Sequence, residues 1–132
     1  MDKIEVKTHT QSELIDITQE VHKIIQRTGC KEGVCYVYVP HTTAAVTINE
    51  NADSSVQRDI LKELGKIVPW DDNYTHGEGN SAAHIKSTLV GSSVSVPVSD
   101  GKLALGTWQG IFFCEFDGPR HREVFIQTIK SE

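Results

Sequence analysis

The chain has no run of apolar residues approaching the roughly 20 that cross a bilayer as a helix, so no membrane span is expected. Its first residues, Met1-Asp-Lys-Ile-Glu-Val6, lack the apolar core of a secretory leader. Positive charge is scarce: 13 Lys and Arg face 18 Asp and Glu, a net charge of −5. That argues against non-specific nucleic-acid binding, which needs clustered cations, and the one basic cluster, Arg120-His121-Arg122, suits one or two phosphates at most. Three cysteines without a paired CxxC spacing fit free thiols in a reducing cytoplasm better than a disulfide framework. Cys35 and Cys114 lie in apolar runs and read as buried small hydrophobes, whereas Cys30, after Gly29, is expected to be more exposed. Aromatic residues are few, with four Phe, three Tyr and two Trp to fill one core. The modest apolar share of 38% suggests that some apolar surface is buried between subunits.

What is present reads as one domain over residues 1–132, with no internal repeat, low-complexity segment or linker. Alternation over residues 2–9 predicts a half-buried strand. Ser12 is a plausible N-cap for a helix bearing Leu14, Ile17, Val21, Ile24 and Ile25, with Gly29 as its stop; His22 beside that stripe has a packing or surface role. Residues 34–39 form a strand ended by Pro40, and 45–48 a second strand expected in the same sheet. Asp53 caps a helix closed near Gly65. Residues 66–79 show no period, and a long irregular connection in a small domain is more often functional than accidental. A short helix over 81–89 stops at Gly91, and strands follow at 93–98, 108–116 and 123–129, with a turn at 99–101 before the short run 103–105. The fold class expected is α+β, mainly antiparallel strands with about three helices.

The chemistry-bearing residues gather in a few segments. His41 follows Pro40 at a strand end, and His76 and His84 flank the polar loop His76-Gly-Glu-Gly-Asn80. Three imidazoles with Glu78 are the groups that hold a divalent ion or move protons, and the alternative is that some merely hydrogen-bond to backbone. Asn49-Glu50-Asn51 forms a second polar cluster, in which Glu50 can accept a proton or ligate magnesium, while capping explains Asp53. Asn80 opens a helix whose free N–H groups can receive a phosphate. In Gly106-Thr-Trp-Gln-Gly110, Trp108 reads either as the flat wall of a ring pocket, with Gln109 bonding the ring edge, or as a core or subunit anchor. Arg120 and Arg122 alternate after the turn Asp117-Gly-Pro119. They suit a phosphorylated ligand, or surface ion pairs with Glu115 or Glu123.

Taken in order, His41 through Asn51, His76 through Asn80, Ala83-His-Ile-Lys86, Leu89-Val-Gly91, Pro97-Val98 and Leu105-Gly-Thr-Trp-Gln-Gly-Ile111 resemble the YjbQ family over nearly the whole chain. The resemblance implies a YjbQ-like α+β subunit assembled as a homotrimer, with sites at or near subunit boundaries. It carries the family's polar motif onto His41, Asn49, Glu50, His76 and Glu78, and further onto His84, Trp108, Gln109 and Arg120. It also implies a secondary, low-level thiamine-phosphate synthase activity, which joins a pyrimidine carried on diphosphate to a thiazole phosphate.

Three functions are therefore expected in competition. One is that transferase, with His41, Glu50, Glu78 and His84 as catalytic groups and Asn49, Asn80, Trp108, Gln109 and Arg120 holding substrate. Another is metal-dependent hydrolysis or transfer on a small phosphorylated metabolite, with zinc or magnesium on His41, His76 and His84. The third is a trimeric metal- or metabolite-binding protein without turnover.

Overall fold

The computed structural model describes residues 1–131. Strand β1 (Asp2–Lys7) is built by alternation: Ile4 and Val6 point inward while Lys3, Glu5 and Lys7 face solvent. It pairs with β8 (His121–Lys130), which also pairs with β3 (Gly33–Tyr38). Beyond β3 lie β5 (Ser93–Ser99) and the short β6 (Lys102–Leu103), giving a five-stranded sheet in the order β1-β8-β3-β5-β6. A smaller sheet contains β2 (Glu13–Asp16), β7 (Gln109–Glu115) and β4 (Ala44–Glu50), in the order β2-β7-β4. Every strand pairing is antiparallel.

The main core lies between the two sheets. Val37, Val124 and Ile126 of the larger sheet meet Val46, Ile111 and Phe113 of the smaller one. Helix α1 (Thr18–Thr28) adds Val21, Ile24 and Ile25 to it. On the outer face of the smaller sheet, Ala45, Cys114 and Phe116 form a second cluster with Ala83 of α3 (Ser81–Val90) and Leu61 and Leu64 of α2 (Ser54–Ile67). Strand β7 is thus covered on both faces, which is why it reads as the near-continuous apolar run Ile111–Phe116. Burying each of Phe112, Phe113 and Phe116 contributes about 1.5–3 kcal/mol of transfer free energy. Lys86 is buried on α3 with its ammonium 5.9 Å from the centre of the Phe116 ring, and burial pushes its pKa down.

Three expectations need correction. The first helix starts at Thr18 rather than after Ser12, because residues 13–16 pair with β7. Leu14 and Ile15 then serve opposite faces of the small sheet, and ladder bonds together with two-sided packing override the helical spacing. The segment after Pro40 does not join the sheet of β3. Both neighbours of β3 are already taken, by β5 and β8, so β4 crosses to pair with β7. Cys30 is buried at 1% exposure, with its Sγ 3.5 Å from the Glu32 carbonyl oxygen. Burial raises the other two thiols, Cys35 to about 11 and Cys114 to about 12, so neither is a thiolate at neutral pH. Asp53 does cap α2, accepting from the Ser55 N–H at 2.9 Å, and the helix runs past Gly65 to Ile67.

One carboxylate interrupts the apolar run of β7. Glu115 is fully buried, and its Oε2 accepts from Arg122 Nη2 at 2.5 Å and from the Asp117 N–H at 3.0 Å. Its Oε1 accepts from Arg122 Nε at 2.9 Å and from the Thr8 hydroxyl at 2.8 Å. Arg122 Nη2 also donates to Thr43 Oγ1 at 2.8 Å, so the pair joins both sheets to the β3–β4 connection. This is not the surface ion pair that the sequence suggests for Arg122. Arg122→Met leaves Glu115 buried without a counter-charge, and a loss of about 3–5 kcal/mol in urea unfolding is expected; a loss below about 1 kcal/mol would contradict this role. Burial alone would raise the Glu115 pKa, but the hydrogen bonds from Arg122, Asp117 and Thr8 outweigh it and hold the group below its ordinary 4.5. Its contribution is therefore complete above that value and is lost as pH falls below it.

Candidate functional site

Three segments far apart in sequence meet at one edge of the sandwich. The β3–β4 connection brings Pro40–Thr43, the loop before α3 brings His76, Glu78 and Asn80, and the β7–β8 turn brings Asp117, Arg120 and Arg122. With His84 on α3 they line a cleft of about 460 Å³. Each segment is placed by a physical constraint. Pro40 lacks an N–H to extend the ladder, and α3 packs on β4 through Ala83. At Gly118, in the β7–β8 turn, a Cβ would run into the Thr10 carbonyl oxygen, so the chain can pass there only as glycine.

Within the cleft the His76 and His84 rings meet edge-on, with centroids 5.4 Å apart and planes at 89°. His76 Nε2 lies 3.9 Å from Glu78 Oε1. Arg120 is tied to Asp117, donating to its carboxylate at 3.0 Å and, through Nε, to its carbonyl at 2.8 Å. Asn80 Nδ2 donates to the same carboxylate oxygen at 2.8 Å. That bond fixes the amide orientation and leaves Asn80 Oδ1 buried, with no hydrogen-bond partner among the described residues. Asn80 is the N-cap of α3 but its side chain makes no capping bond, so the N–H groups that open the helix lack a side-chain acceptor.

His41 differs from the other two histidines. Its Nε2 accepts the Glu123 N–H at 2.9 Å, which leaves Nδ1 as the protonated nitrogen of the neutral ring. Burial, and then the positive charge of Arg122, push its pKa below the ordinary 6.5. His41 therefore presents a hydrogen-bond donor, with its other nitrogen already engaged. Among the described residues, no group of three or more His, Cys, Asp or Glu side chains is disposed to hold a metal ion. His41, His76 and His84, the three imidazoles expected to share a metal, all line the cleft but do not form such a group.

The other candidates from the sequence are not brought here. Asn49 and Glu50 sit opposite Gly110 and Gln109 at the far end of β4. At about 3.3 Å per residue, Glu50 lies roughly 20 Å along the strand from Ala44. Polar groups there satisfy local backbone: Gln109 Oε1 accepts from the Gly106 N–H, and Asn49 Oδ1 from the Glu50 N–H, both at 2.8 Å. Trp108 is 63% exposed beside them. Sequence reasoning missed the role of Glu115, whose signal was a lone carboxylate in a run buried on both faces. It also missed Asp117, which carries no signal beyond its place in a turn.

Residues 2–131 match the family model described as UPF0047 protein YjbQ-like. The chain is 54% identical over 127 residues to the UPF0047 protein MJ1081 of Methanocaldococcus jannaschii, covering 96% of this chain and 92% of that one. It is 51% identical to the UPF0047 protein YugU of Bacillus subtilis, covering 96% of each. Among solved structures, an uncharacterized YjbQ/UPF0047 family protein of Clostridium acetobutylicum superposes with a TM-score of 0.96 at 51% identity, covering 98% of this chain and 100% of that one. A YbjQ-like protein of unknown function from Sulfolobus solfataricus gives a TM-score of 0.95 at 37% identity, covering 98% and 96%.

The depressed pKa of His41 makes a testable contribution to stability. The unfolded chain takes up its proton at higher pH than the folded one, so this contribution is complete above about 6.5 and is lost as pH falls toward the folded value. Urea midpoints measured across that window are expected to fall less steeply for His41→Asn than for the natural chain. Identical slopes would contradict the assignment of His41 as a neutral donor.

Proposed function

The chain belongs to the YjbQ-like UPF0047 family, and we propose that its histidine-lined cleft binds a small phosphorylated metabolite and transfers protons on it. The observation that carries this reading is the convergence of three separate segments on one cleft of ordinary ligand size. Arg120, the Nδ1–H of His41 and the uncapped start of α3 are donors suited to phosphate oxygens. His84 and His76, with Glu78 beside His76, supply imidazole and carboxylate groups of the kind that act as general acids and bases. A zinc or magnesium ion enters this reading on the substrate phosphate, with His76, His84 and Glu78 as the protein groups available to it. A cytoplasmic location is part of this proposal, and three free, buried cysteines accord with it.

Thiamine-phosphate synthesis is the named activity to assay. The phosphate donors favour it, but no Phe, Tyr or Trp lines the cleft as a wall for a pyrimidine, and Trp108 sits at the other end of the small sheet. The broader reading is therefore preferred. Arg120→Ala is expected to weaken inorganic phosphate binding by about tenfold in calorimetry, and unchanged binding would refute the site. His84→Ala is expected to abolish any product formed from the pyrimidine diphosphate and thiazole phosphate. Retained ligand with no product in the natural chain would instead favour a binding protein without turnover.

The proposal includes assembly as a homotrimer. The outward face of the larger sheet carries Tyr36, Tyr38 and Ile129, which are 44–53% exposed, and the Tyr38 ring lies 6.4 Å from that of Phe125. Light scattering should give three times the chain mass, falling toward one chain in Tyr36→Lys; a single-chain mass for the natural protein would overturn it.

A further inference from the structure

The cleft does not end at the histidines. Past His41 and His84 a second cavity of about 380 Å³ opens between the start of β4, α3 and the residues leading into β5. The two cavities share His41, Thr42 and His84, so one ligand can extend from the first into the second. Their chemistry differs. The first holds guanidinium and carboxylate groups, whereas the second has no Asp, Glu, Lys or Arg on its wall and no Phe, Tyr or Trp. Its side-chain polar groups, beyond the shared imidazoles, are the hydroxyls of Thr42, Ser87, Thr88 and Ser92.

Ser87 carries the argument. It stands three residues after His84, on the same helix face, and is 9% exposed. A helical hydroxyl commonly bonds a carbonyl one turn back. Thr88 does so, to His84 at 2.9 Å, but Ser87 Oγ is buried with no partner among the described residues. The adjoining cleft holds a second such group, Asn80 Oδ1. Ser87 and Asn80 thus line two cavities that share a wall, and each carries a shielded oxygen without a partner among the described residues. Buried polar atoms in a folded protein are rarely left unpaired; of the three among the described residues, Thr128 Oγ1 lies away from these cavities, and Ser87 and Asn80 line them.

We propose that the hydroxyl-lined cavity is the subsite for the hydroxylated end of the substrate, which makes the substrate class a phosphorylated sugar or polyol. This rests on the phosphate reading of the cleft: the phosphate lies toward Arg120, the chain of the molecule passes between His41 and His84, and its hydroxyls bond Ser87 and its neighbours. The cavity has no Phe, Tyr or Trp wall for a flat aromatic group, and a cationic group finds no carboxylate.

Calorimetric titration with inorganic phosphate, ribose 5-phosphate and phenyl phosphate separates the possibilities. Ribose 5-phosphate should bind about tenfold more tightly than either of the others, the gain of one or two well-made hydrogen bonds. Ser87→Ala should lose most of that gain and keep its affinity for inorganic phosphate. The variant is expected to fold, since it removes an unpaired hydroxyl and installs a better helix former. Equal affinity for ribose 5-phosphate and phenyl phosphate, or an unchanged sugar-phosphate affinity in Ser87→Ala, would overturn the subsite while leaving the phosphate cleft standing. Failure of all three probes to bind the natural chain would overturn the phosphate reading itself, and this proposal with it.

Discussion

A carboxylate cannot be buried in the middle of an apolar strand without a counter-charge, and Glu115 is such a carboxylate. Its partner Arg122 comes from the other sheet, so satisfying the charge also fixes how the two sheets meet. The remaining oxygen lone pairs and guanidinium protons recruit Thr8, Thr43 and the Asp117 backbone. Those three positions border or lie within the segments that build the cleft. A polar network of this kind is stable only when complete, and completeness requires one arrangement of the loops. The site is therefore a consequence of how a buried charge is neutralised.

That constraint also shapes the cleft's electrostatics. Arg122 is committed to Glu115, and Arg120 shares its charge with Asp117 while remaining about half exposed. The positive field of Arg122 is nevertheless felt by His41, where it adds to burial in keeping the ring neutral. One histidine is thereby assigned to hydrogen bonding. His76 and His84 stand apart from that network and touch each other instead. The division between a rigid, charge-locked wall and a histidine pair facing it is the arrangement wanted where one part of a ligand is held and another part reacts.

Much of the fold was legible because local signals and tertiary contacts agree. Strands β1, β3, β5 and β8 and helices α2 and α3 carry clear periods and ends, including the Asp53 cap and the Gly91 stop. Legibility failed where a segment serves two faces. Leu14 fits a helical spacing with Ile17 and Val21, but it and Ile15 pack on opposite sides of the small sheet, which only the pairing with β7 reveals. The transfer of β4 to the second sheet depends on both edges of β3 being occupied, and no residue of β4 encodes that. The histidine segments were visible as candidates, yet their meeting rests on long-range topology. The same topology places Glu50, Trp108 and Gln109 at the opposite end of β4 and β7, although the sequence offers them with equal force.

A cleft held by the Glu115–Arg122 pair is proposed to receive a phosphate against Arg120 and the histidines. Side-chain nitrogen NMR of the imidazoles, recorded during titration with inorganic phosphate, tests it most directly. Saturable shifts are expected at His76 and His84, with His41 keeping its proton on Nδ1 throughout and its signal shifting with the same affinity. Shifts confined to His9, His22 or His121, or no saturable shift at any histidine, would contradict it.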